Sequence, residues 1–101
     1  MKDNKIISKN EIIKGLQKLK PSLQIHGLTE IALFGSIARG DSDDESDIDL
    51  LIDLSKNTSS DFFKIAFQLK DFFHPAKVDI VTKKGIKTNY LRAIQKDLIY
   101  V

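Results

Sequence analysis

The segment Asp47-Ile48-Asp49-Leu50-Leu51-Ile52-Asp53-Leu54 constrains the fold of this chain more than any other. Its period of two puts Ile48, Leu50, Ile52 and Leu54 on one face of a β-strand, where a packed core must cover them. Asp47 and Asp49, at i and i+2, then leave a common face about 6–7 Å apart along the chain. Burial alone would not choose carboxylates for that position.

The rest of the chain supplies the cover. Ser8-Lys9-Asn10-Glu11 has capping-box spacing, and Ile12, Ile13, Leu16 and Leu19 follow at helical period, which predicts a helix over 9–20 interrupted by Pro21. Residues 21–25 are expected to form a further short turn. Leu28-Thr29-Glu30-Ile31-Ala32-Leu33-Phe34 reads as a buried strand that ends at Gly35, and Gly35-Ser36 opens a short helix stopped by Gly40. Asp41 to Ser46 reads as a loop, with Ser46 orienting the start of the acidic strand. Thr58 to Asp61 caps a third helix, whose apolar face takes in Phe62, Phe63, Ile65, Ala66, Leu69, Phe72 and Phe73, with its phenylalanines as core filler. His74-Pro75 ends it. A third strand, Lys77-Val78-Asp79-Ile80-Val81-Thr82, turns Asp79 away from Val78 and Ile80, and a last helix spans about 88–98. Helices and strands alternate, so a single α/β domain over residues 1–101 is expected, a small sheet with helices packed on one face.

Composition narrows the function. With 101 residues there is room for one core, so a large partner or substrate must dock from outside. The absence of cysteine excludes a disulfide framework, a thiolate zinc site and a cysteine nucleophile. No apolar run resembles a signal peptide or a membrane span, and a cytoplasmic protein is expected. The net charge of +2 conceals segregation: residues 41–53 hold seven carboxylates and no base, while residues 1–20 and 77–96 are strongly basic. Basic blocks of this kind read first as solvated faces.

If the strand of Asp79 lies beside that of Asp47 and Asp49, three carboxylates converge, and their repulsion is balanced by a hard divalent cation. Oxygen donors favour Mg²⁺ or Mn²⁺, and Mg²⁺ completes its shell with water and substrate phosphates. Gly35-Ser36 lies where a strand gives way to a helix N-terminus, where free N–H groups and a hydroxyl favour an anion. Together these are the equipment for phosphorus-group transfer. Other motifs fail: Gly35-x4-Gly40 is followed by Asp41-Ser42 instead of the P-loop Lys-Ser/Thr. An EF-hand loop counted from Asp41 puts Ser46 and Ile52 where Gly and Glu are needed, and one counted from Asp43 puts Ile48 and Leu54 there. His26 and His74 have no neighbouring ligand in sequence and read as structural; Tyr90 and Tyr100 read as packing residues.

Phe34-Gly35-Ser36-Ile37-Ala38-Arg39-Gly40-Asp41, followed by Ser46-Asp47-Ile48-Asp49-Leu50-Leu51-Ile52, resembles the Gly-Ser, ten residues, Asp-x-Asp signature of the minimal nucleotidyltransferases of the DNA polymerase beta superfamily. The resemblance extends to Val78-Asp79-Ile80-Val81 and to a closing helix through Leu91, Ile94, Leu98 and Tyr100. It implies the mixed-sheet nucleotidyltransferase fold and transfer of AMP from Mg-ATP to a hydroxyl. Gly35 and Ser36 would hold the triphosphate, Asp47 and Asp49 would bind both of two Mg²⁺ ions, and Asp79 would ligate the ion that activates the acceptor. Arg39 would join the nucleotide site or serve as an ion-pair partner; Asp41 belongs to the pattern without an assigned role.

The same resemblance implies a companion. Small transferases of this kind are similar to the antitoxin halves of two-protein modules whose other half is an all-helical HEPN ribonuclease, with which they form hetero-oligomers. Such an antitoxin adenylylates a tyrosine of the toxin or masks it by binding. Transfer to an RNA end or to a small hydroxyl compound is the further alternative.

Overall fold

The computed structural model describes residues 8–41, 47–56 and 59–101. Helix α1 (Lys9–Ile25) starts at a complete capping box: the Glu11 N–H donates to Ser8 Oγ at 3.1 Å and the Ser8 N–H to Glu11 Oε1 at 3.0 Å. Pro21 does not break it. The carbonyl that loses its partner belongs to Gln17, which is exposed like Pro21, so water can take that bond. Fully buried Leu23 holds the last turn in place.

Strand β1 (Leu28–Phe34) leads into the five-residue helix α2 (Gly35–Arg39), then β2 (Ile48–Leu54), α3 (Ser59–Phe73), β3 (Val78–Thr82) and α4 (Thr88–Ile94). A 3-10 turn (Gln95–Asp97) and the two-residue strand β4 (Ile99–Tyr100) close the chain. The sheet order is β3-β2-β1-β4, with β1 antiparallel to β2 and β4, and β2 parallel to β3. It is therefore a mixed sheet, and α3 makes the crossover that a parallel pair requires. Periodicity alone carries the last helix to about residue 98, but it stops at Ile94. Leu33 and Ala32 at the edge of β1 instead pair with Ile99 and Tyr100, and the Val101 N–H donates to the Ile31 carbonyl at 3.0 Å.

The main core lies on one face of the sheet. Ile12, Leu16 and Leu23 of α1 and Ile65 and Leu69 of α3 pack there on Ile31, Leu33, Ile48, Leu50 and Ile52, all fully or almost fully buried. Gly15 permits the close approach of α1 and α3, since a Cβ there would stand 2.7 Å from the Phe72 ring. The aromatic filler expected of α3 is only partly used. Phe73 is buried, whereas Phe63, Phe67 and Phe72 are 66%, 70% and 42% exposed. Ile65, Leu69 and Phe73 already occupy the inward i, i+4, i+8 stripe, which turns the i, i+4 pair Phe63 and Phe67 outward.

The opposite face carries a smaller cover, in which Ile94 of α4 joins Phe34 and Leu51, flanked by Val81, Ile86, Leu91 and Leu98. This second layer is the face to which the alternating carboxylates belong. Among the described residues, no helix is long and apolar enough to cross a membrane.

Candidate active site

Strand register assembles the carboxylates. In β2, Asp49 stands directly between Phe34 of β1 and Asp79 of β3. Asp47 lies one residue before β2, half-buried, and Asp79 is exposed. The three expected residues thus meet at one end of the sheet, where β1 finishes and β2 and β3 begin.

Gly35 completes the floor. The chain leaves β1 extended at Phe34 and turns at Gly35 with φ 82°, a conformation that L side chains rarely adopt. A Cβ at Gly35 would collide with Asp49 Oδ2, so glycine is what lets the carboxylate lie against the backbone. Helix α2 is then held by buried Ile37 and Ala38, and by Lys9 Nζ donating to the Ala38 carbonyl at 3.3 Å. It closes where the N–H groups of Gly40 and Asp41 each donate to the Ser36 carbonyl at 3.0 Å, with Gly40 at φ 86°. Ser36 therefore sits in the first turn, next to Gly35. Ser46 and Thr58, to which the sequence gives orienting and capping roles, lie outside the described residues.

The electrostatics follow from the packing. Burial pushes the Asp49 carboxyl above its usual range; repulsion from Asp79 and then Asp47 adds to this, and Arg39 opposes it. Arg39 is itself held by carboxylates, with Nε 3.3 Å from Asp41 Oδ2 and Nη1 3.2 Å from Asp97 Oδ2. Those bonds raise its pKa.

Among the described residues, no three Asp, Glu, His or Cys side chains form a ready-made metal cage. The donor set nevertheless suits Mg²⁺, which takes one or two carboxylates and fills its remaining positions with water and phosphate oxygens. The raised carboxyl of Asp49 marks a place where added positive charge is favourable.

Two features escape sequence reasoning. Asp97 reaches Arg39 only because the chain leaves α4 through the 3-10 turn, and no local pattern signals it. A groove of about 360 Å³ is lined by Val81, Thr82, Gly85, Ile86, Lys87 and Tyr90, and Val81 stands two residues along β3 from Asp79. Tyr90 packs edge-on against Phe34, with ring centres 6.4 Å apart, which places it next to Gly35. His26 caps α1, and His74 directly follows α3.

A family model described as a nucleotidyltransferase domain matches residues 9–101. A Methanocaldococcus jannaschii protein provisionally named protein adenylyltransferase MJ1379 is 38% identical over 97 residues, covering 91% of this chain and 96% of that one. Protein adenylyltransferase MntA of Thermococcus cleftensis is 29% identical over 75 residues, 74% and 76% of the two chains. In fold, the chain is similar to a solved structure provisionally described as a minimal nucleotidyltransferase, with TM-score 0.77, 24% identity and coverage of 91% and 94%. It is also similar to a chain of a toxin-antitoxin crystal structure with AMP-PNP, with TM-score 0.63, 25% identity and coverage of 90% and 69%.

Proposed function

The chain belongs to the nucleotidyltransferase domain family, and we propose that it transfers AMP from ATP to a tyrosine hydroxyl of a HEPN-domain toxin, so acting as the antitoxin of a two-protein module. The observation that carries this reading is the position of Asp49, packed on Gly35 on one side and in register with Asp79 on the other. Phosphate and acceptor sites are thereby only a strand or two apart. The names of the adenylyltransferase relatives and of the toxin-antitoxin neighbour with AMP-PNP support the donor and the biological setting.

Gly35 and Ser36 would hold the triphosphate, and Asp47, Asp49 and Asp79 would hold Mg²⁺ or Mn²⁺. When bound, the metal draws charge from the phosphates and lowers the pKa of a nearby hydroxyl. The acceptor oxygen attacks the α-phosphorus, the bond from that phosphorus to the bridging oxygen of the β-phosphate breaks, and pyrophosphate leaves with the electron pair. The hydroxyl proton passes to Asp79, whose exposed carboxylate is open to the acceptor. The substrate and the single-domain organisation suit a cytoplasmic protein working in a hetero-oligomer.

The test is to mix the purified chain with α-phosphate-labelled ATP, Mg²⁺ and a HEPN-domain protein from the same source cells. Label is expected on a tyrosine of that protein and is expected to vanish with a chelator. Toxin neutralised without label would identify a masking antitoxin; label sensitive to ribonuclease, or on a small compound, would reassign the acceptor.

Arg39 is assigned a supporting electrostatic role at the nucleotide, because its charge is felt at Asp49 while Asp41 and Asp97 orient it. Arg39→Ala is expected to raise the KM for ATP about tenfold. Its ion pairs are exposed, so melting should move by less than roughly 3 °C. Steady-state kinetics and a thermal melt together check both statements.

A further inference from the structure

We propose that the acceptor is an extended polypeptide segment that docks as an added strand on the free edge of β3, placing its hydroxyl residue opposite Asp79 and a neighbouring apolar side chain in the groove beneath Tyr90. This rests on the transferase reading and specifies how its substrate is held.

Backbone geometry comes first. The Ile48 N–H donates to the Lys77 carbonyl at 2.9 Å, and the Lys83 N–H to the Ile52 carbonyl at 2.8 Å. With the register running from Ile48↔Val78 to Ile52↔Thr82, the parallel pattern directs the main chain of Lys77, Asp79, Val81 and Lys83 toward β2. The N–H groups of Val78, Ile80 and Thr82 and the carbonyls of Val78 and Ile80 therefore point to the outer edge, since β3 ends the sheet. Among the described residues no backbone group pairs with them there. An edge of this kind is a template for an extended peptide.

In-line displacement sets the direction of approach. Attacking and leaving oxygens lie on opposite sides of the α-phosphorus. With pyrophosphate leaving at Gly35 and Ser36 beyond β1, the attacking hydroxyl must come from the β3 side. The other edge, β4, pairs with β1 and lies on the far side of the sheet from Asp79.

Side-chain period links the edge to the groove. A strand added to β3 would lie about 4.8 Å away, with a residue opposite Asp79 sharing its face. The residue two positions along falls opposite Val81, which lines the groove together with Ile86 and Tyr90. The groove volume of about 360 Å³ suits one large side chain. Exposed Lys77, Lys84 and Lys87 surround the edge, which favours acceptor segments that carry acidic residues.

Hydrogen exchange on the wild-type chain, with α,β-methylene-ATP and Mg²⁺ and with or without the HEPN-domain protein, reads the edge directly. Protection of the Ile80 and Thr82 amides by at least about tenfold is expected on adding that protein. Ile80→Pro removes an outward N–H and leaves the bonds to β2 in place, and should raise the KM for the acceptor protein about tenfold or more. Ile86→Glu obstructs the groove without touching the ladder and should act likewise. Neither should change the Kd of a fluorescent ATP analogue more than about twofold.

Transfer to the protein with no protection along β3, or a loss of ATP affinity in Ile86→Glu, overturns the edge proposal and leaves the transferase reading standing. Protection without transfer keeps the docking mode and overturns transfer. Absence of any complex, or label on RNA or a small compound, overturns both.

Discussion

Replacing Asp49 with Asn is expected to lower AMP transfer by about 10³-fold or more, because the proposed centre loses a negative charge that would hold the metal. The same substitution should make the metal-free protein more stable. Asp49 is half-buried beside two like charges, and its carboxyl is already pushed above the usual range by burial and then by Asp79 and Asp47. Asparagine keeps the shape and removes the cost of ionisation. As pH rises through the ordinary aspartate range, the unfolded chain ionises first, so wild-type stability falls until the raised folded value is passed and stays low above it. The advantage of Asp49→Asn should therefore be full at neutral pH and disappear in acid. Mg²⁺ should raise the melting temperature of the wild type and have little effect on the variant. Melting curves from acid to neutral pH, with and without Mg²⁺, beside a labelled-ATP assay, test all three statements. A variant that melts below the wild type at neutral pH would contradict the electrostatic account.

Gly35→Ala should lower transfer by about 100-fold, by a different physical route. Two costs add at this position: the φ of 82° is unfavourable for alanine by about 1–2 kcal/mol, and the new Cβ meets the Asp49 carboxylate. The carboxylate must move, and a displacement of about 1 Å in a catalytic group costs about 100-fold in rate. Gly40→Ala isolates the first cost. Gly40 has φ 86°, but a Cβ there would meet nothing within 4 Å, so this change should destabilise the fold by about 1–2 kcal/mol and leave transfer intact. Denaturant unfolding and transfer at saturating ATP separate the two variants. Equal activities in both would remove Gly35 from the site.

Much of this arrangement is legible in the sequence because strand alternation is a strong, local rule. The bounds of β1 follow directly from its apolar run between Gly27 and Gly35, and the face of Ile48, Leu50, Ile52 and Leu54 follows from period two. That Asp79 lies in register with Asp49 does not follow, since pairing between distant strands is set by the whole sheet. Pro21 misleads because its cost depends on whether water can reach the freed carbonyl, a tertiary property. The phenylalanines of α3 mislead because hydrophobicity says nothing about which side of a crowded helix is already filled. At the C-terminal end, helical period competes with the unpaired edge of β1, and the edge wins.

The parallel pairing of β2 with β3 also fixes when during folding the centre can form. Asp49 and Asp79 meet only after the intervening chain, including all of α3, has been closed into a crossover. Closing so long a loop precedes the contacts that stabilise it, which makes this pairing a slow event compared with formation of the helices. A nascent or partly folded chain holds the Gly35 turn and the β2 carboxylates before it holds the third. Catalytic competence thus arrives with completion of the sheet, and recovery of transfer during refolding should trail the recovery of helical signal.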